Sequence, residues 1–126
     1  MATKGKEWLG IFEETSESAR EAWKAVRPEA MIVENGQTGQ RWTVEEGICG
    51  FSYLIVRDAR SGFVRWLREQ KIGHKHYGGG WAIPSWHLVP EDRRSQSYDR
   101  KDAATKAGAE ILLAHGIEAF AESRLD

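Results

Sequence analysis

The sequence predicts one α+β domain, a mainly antiparallel sheet of about five to six strands with three helices packed on it. Three observations carry this. A chain of 126 residues fits one domain and leaves no room for two. Its apolar fraction of 40% and charged fraction of 29% are those of a globular protein able to bury one core. Its apolar residues switch between helical spacing and continuous strand-like runs, in the order α, strands, α, strands, α, strand.

The first helix is centred on Ser18 to Arg27. Ser18 and Glu21 have capping-box spacing, Ala19, Ala22, Trp23 and Val26 share a face, and Pro28 stops the helix. Trp8, Ile11 and Phe12 leave its upstream extent open. Residues 30–34 and 40–44 read as two strands about the turn-rich 35–39. Residues 48–57, continuously apolar and aromatic, predict the central strand. Ser61 is the expected N-cap of a second helix that turns Phe63, Trp66 and Leu67 inward and Arg65, Arg68 and Lys71 outward. Lys75–Tyr77 and Trp81–Ser85 flank three glycines as a hairpin, with Pro84 at an edge or a strand end. A third helix, Asp99 to His115, is rich in small residues that allow close packing and stops at Gly116. Residues 117–121 make a short last strand.

The bulk numbers narrow the function. No run approaches the ~18 apolar residues of a membrane span, and the start has no apolar signal core. Cys49, the single cysteine, excludes an internal disulfide, so a cytoplasmic location is expected. Charge is uneven. Residues 1–50 carry six Lys/Arg and nine Asp/Glu, residues 51–106 eleven and six, residues 107–126 one and four. A basic middle between acidic ends suits an anionic ligand of limited size better than a long phosphate backbone.

The candidate chemistry lies in that middle. Lys75, Tyr77, Trp81 and Trp86, with Arg93 and Arg94, combine aromatic faces with cations, a set that stacks a base and neutralises phosphate. The alternative is that the tryptophans are core and the arginines solvated. Gly79, within its glycine run, would bring backbone N–H groups to a phosphate, or simply form a turn. Gln96 and Ser97 offer neutral hydrogen-bonding groups for a base or ribose edge. His74 and His76 share a face on a strand and, with His87, suggest a metal, but no third ligand stands at fixed spacing. Cys49 as a nucleophile lacks a base in any fixed relation. With no acid–base set in the sequence, a binder without catalytic residues, metal or cofactor is expected rather than an enzyme.

Residues 42–51, reading WTVEEGICGF, resemble the W-x-V-x-x-G-V-C-G-F-A block of a family of small phage and prophage accessory proteins. Phe63-Val64-Arg65-Trp66-Leu67, His74-Lys75-His76-Tyr77 and Ser95-Gln96-Ser97 follow in the family's order, and the end, Gly116 to Asp126, resembles its G-I-x-A-Y-x-x-S-R-[LM]-D terminus. The resemblance covers about residues 28–126 and lapses between Trp81 and Arg94, where this chain is longer. In size and layout the family is similar to the Thoeris anti-defence sponges, which sequester cyclic nucleotide signals. What this implies is a phage counter-defence protein, a homo-oligomer in the host cytoplasm, that withholds a small anionic nucleotide without turnover. Lys75, Tyr77, Gly79, Trp81, Gln96 and Ser97 would bind, together with a docked terminus through Arg124 and Asp126. A nucleic-acid-binding accessory protein and a protein-directed inhibitor of a host defence complex are the alternatives.

Overall fold

The computed structural model describes residues 2–27, 31–34, 41–44, 50–95 and 97–125, with side chains in 5–27, 50–95 and 97–125. In chain order the elements are α1 (Ala2–Ala25), β1 (Met31–Glu34), β2 (Arg41–Val44), β3 (Gly50–Val56), α2 (Gly62–Glu69), β4 (His74–Lys75), β5 (Trp81–Pro84), α3 (Ser85–Leu88), a 3-10 turn (Pro90–Arg94), α4 (Tyr98–Ala114) and β6 (Ala119–Leu125). This is an α+β fold.

Six strands are present among the described residues, but not in one sheet. β1 and β2 pair with each other, while β4, β5, β3 and β6 form a four-stranded antiparallel sheet in that order. The single sheet expected from sequence is therefore divided. The physical reason is that both edges of β3 are taken, one by β5 and the other by β6, so β2 cannot pair with the strand that follows it. From β3 onward the connectivity is βαββαβ with the last strand beside the first, the split βαβ arrangement.

Among the described residues there are four α-helices and one 3-10 turn rather than three helices. α1 is far longer than expected, and Ser18 lies inside it rather than at its cap. Trp8, Ile11, Phe12, Thr15, Ala19 and Trp23 recur at helical spacing, and this stripe faces the core along the whole helix. The extra helix, α3, is one turn that begins straight after Pro84. That proline ends β5, an interior strand, so it marks a strand end and not an edge.

α2 begins as the sequence indicates: the backbone N–H of Val64 donates to the Ser61 hydroxyl, and Phe63, Val64, Trp66 and Leu67 are buried. Trp8 and Phe12 of α1 lie across it, 5.8 Å from the rings of Phe63 and Trp66 respectively. α4 is sandwiched between α1 and the sheet. At Gly108 a Cβ would stand 3.1 Å from Leu54 and 3.2 Å from Thr15, so the small residues of α4 do allow close packing. Beneath the helices, Leu54 and Val56 of β3 and Trp81 and Ile83 of β5 form the sheet's contribution to the core.

One charged pair sits inside. Asp92 is fully buried and accepts from Trp23 Nε1 at 2.8 Å, from the Ser85 hydroxyl, and from Lys101 Nζ at 2.8 Å. It ties α1, α3 and α4 together through one carboxylate. Every donor is aimed at a charge that would otherwise be expensive to bury.

Candidate functional site

Strand geometry sends successive side chains to opposite faces. In β3 this puts Ser52, Leu54 and Val56 towards the helices and Phe51, Tyr53 and Ile55 on the other face. The polarity at the start of the strand is the reverse of what stability favours. Ser52 is fully buried, 2.6 Å from the Thr105 hydroxyl and 2.6 Å from that of Ser123. Its neighbour Phe51 is 44% exposed. Phe120, opposite Ile55, is 40% exposed on the same face, with the Arg57 guanidinium 5.7 Å from its ring centre.

On this face lies an open groove of about 480 Å³, lined by residues that include Tyr53, His74, Lys75, Tyr77, Glu122 and Arg124. Its floor is fixed. Tyr53 meets the His74 ring edge-on at 5.9 Å and Trp86 at 6.4 Å. His76 Nε2 reaches the Glu122 carboxylate at 3.3 Å. Tyr77, at the tip of the β4–β5 turn, is fully exposed. Neither Lys75 nor Arg124 has a carboxylate partner among the described residues. Arg124, in register with Phe51, lies on the open face, whereas Lys75 pairs with Trp81 and borders the groove from the edge strand, its side chain set by alternation towards the other face.

The groove thus joins two residues expected from sequence, Tyr77 and Arg124, with Lys75 on the strand that borders it. Arg124 reaches it because the last strand is longer and later than its apolar residues suggest: β6 pairs residue for residue with β3 from Ala119 to Leu125, placing Arg124 opposite Phe51. A Cβ on Gly50 would stand 2.6 Å from the Arg124 carbonyl oxygen, so this glycine lets the end of the chain dock.

Other expected residues lie elsewhere. Trp81 alternates to the opposite face, where it is 8% exposed and donates from Nε1 to the Ile72 carbonyl at 2.8 Å, beneath the Arg68 guanidinium. It belongs to the core and offers no stacking surface to the groove. Ser97 is fully buried and caps α4 by accepting from the Arg100 N–H. Gly79 is in the turn at φ 101°, and its N–H donates to the His76 carbonyl, while that of Gly78 donates to His76 Nδ1. The glycine run is therefore a hairpin turn whose amides at Gly78 and Gly79 are already engaged. Gly80 completes it at φ 87°, where a Cβ would meet the Val56 carbonyl at 2.5 Å. Cys49, Gln96 and Asp126 lie outside the described residues.

His74 and His76 do share the groove, as their spacing indicates, but His76 faces Glu122 and His87 faces Gly73. Among the described residues no three His, Cys, Asp or Glu side chains converge as a metal site would require. Tyr53 and Glu122 were missed by sequence reasoning. The available signal was the F-S-Y alternation, which puts two rings on one face of a strand and a hydroxyl on the other.

No protein-family model, no curated protein and no solved structure matches this chain.

Proposed function

We propose that the protein is a non-catalytic binder of a small anionic nucleotide, held on the open face of the four-stranded sheet. The base lies against Tyr53 and Tyr77, Arg124 neutralises phosphate, and Lys75 adds positive charge from the edge strand beside the groove. The observation that carries this reading is the reversed polarity of β3, which exposes Phe51 and buries Ser52. Exposed rings grouped with cations on one face mark a binding surface better than they serve a fold. A groove of about 480 Å³ suits one or two nucleotides. The histidine–carboxylate pair that lines it, His76 and Glu122, holds the two edges of the sheet in place. In the phage counter-defence setting that the motifs resemble, such a protein would withhold a signal from a host effector. A homo-oligomer would form through β6, an edge strand.

A second reading is single-stranded nucleic acid, favoured by Phe51 and Phe120, which extend the aromatic surface beyond the groove. Calorimetric titration separates the two. A cyclic dinucleotide binding with little salt dependence supports the first. Affinity that grows with oligonucleotide length, and that falls by about one log unit per tenfold salt for each phosphate neutralised, supports the second. Heat from neither ligand would overturn both.

A further inference from the structure

A smaller cavity of about 350 Å³ lies between the end of α2, α3 and the 3-10 turn, walled by Phe12 and Trp86 and bearing Lys71, His87 and Arg93. Among the described residues no carboxylate lines it. Its polar groups are donors, and the structure fixes this even for the histidine. The backbone N–H of Gly73 donates to His87 Nδ1 at 3.0 Å, so the neutral ring carries its proton on Nε2.

Lys71 stands where a helix ordinarily places glycine. The N–H of Ile72 donates to the Leu67 carbonyl at 2.9 Å and that of Lys71 to the Arg68 carbonyl at 3.1 Å, the paired bonds of a Schellman cap. Lys71 occupies the left-handed position at φ 60°, and it is the one non-glycine residue with positive φ among the described residues. A cation is thus kept at the mouth of a donor-lined cavity at a conformational cost that glycine would avoid.

We propose that Lys71, Arg93 and the Nε2–H of His87 form a second anion site, one that takes the phosphate group of a small molecule whose apolar part rests on Trp86 and Phe12. Two flexible cations and one neutral donor, approaching from separate elements, suit the several oxygens of a phosphate. The site stands apart from the sheet-face groove, with Trp86 and its contact to Tyr53 between them, and does not depend on the nucleotide reading.

The test is an NMR titration of the full chain with inorganic phosphate. Saturable shifts centred on the Gly73 amide, the His87 ring and the Trp86 indole are expected. Arg93→Gln and Lys71→Gly should each weaken phosphate about tenfold. Lys71→Gly should at the same time raise the melting temperature, because glycine relieves the backbone, which separates loss of the site from loss of the fold. Shifts that never saturate, shifts confined to Lys75 and Arg124, or an affinity unchanged in both variants would overturn the proposal.

Discussion

His76 and Glu122 belong to opposite edges of the four-stranded sheet, yet their side chains meet at 3.3 Å. His76 directly follows β4 and Glu122 is the middle of β6, so the contact crosses the face above β5 and β3. It pins the β4–β5 turn, which carries Tyr77, against the far edge. Replacing Glu122 with Ala should cost little stability, about 0.5–1 kcal/mol, because the carboxylate is partly exposed. Hydrogen exchange at the His76 amide should accelerate while amides within α4 keep their protection. Equal acceleration in both places would show that the contact serves the whole fold.

The buried Asp92–Lys101 pair predicts a much larger effect. Lys101→Met removes the cation from Asp92, which is fully buried and keeps the Trp23 and Ser85 donors. Uncompensated charge of this kind costs about 3–5 kcal/mol. Urea unfolding reads it directly, and a loss below about 1 kcal/mol would mean that the carboxylate finds water or a proton at little cost.

His87 sets a pH dependence. Burial, together with Arg93 and His74 nearby, holds its imidazole below the ordinary value of 6.5. As pH falls, the unfolded chain therefore takes up this proton before the folded one does. The contribution to stability is full above about 6.5 and is lost as pH drops towards the folded-state value. Protonation of Nδ1 also removes the acceptor for the Gly73 N–H. Melting temperature measured between pH 7.5 and pH 5 should decline more steeply in the native protein than in His87→Asn. Parallel curves would assign the acid sensitivity to other groups.

The reversed polarity of β3 separates stability from binding. Phe51→Ser should cost no more than about 1 kcal/mol, since the residue is 44% exposed. Ser52→Ala, which takes the buried hydroxyl from Thr105 and Ser123, should cost about 1–2 kcal/mol. Equilibrium unfolding of the two variants gives the comparison. The opposite ranking would make Phe51 a structural residue.

The contrast between β3 and β6 shows what the sequence makes legible. β3 is apolar apart from Ser52, buries most of its length, and is readable as the central strand. β6 ends in Glu122, Ser123 and Arg124, polar residues that give no strand signal and are held by pairing with β3, a relation remote in sequence. α2 was readable from its cap and its inward face, whereas Ser18 and Glu21 imitated a cap inside α1, because capping spacing recurs on any polar helix face. In the candidate site, Lys75, Tyr77 and Arg124 were accessible by residue type. Trp81 was not, because its face depends on a parity that only the pairing with β3 settles: Val56 opposite Trp81 turns the indole to the core.

We propose that the open sheet face holds a small anionic nucleotide against Arg124 and the tyrosines, with Lys75 on the strand beside it. Native mass spectrometry of the protein against cyclic di- and trinucleotides, cyclic ADP-ribose isomers and a short oligonucleotide tests it most directly, reading subunit count and bound mass together. One nucleotide class should be retained intact, at a fixed ratio per subunit, and lost in a Lys75→Ala, Arg124→Ala double variant. No small nucleotide retained, or equal retention by the double variant, would contradict it.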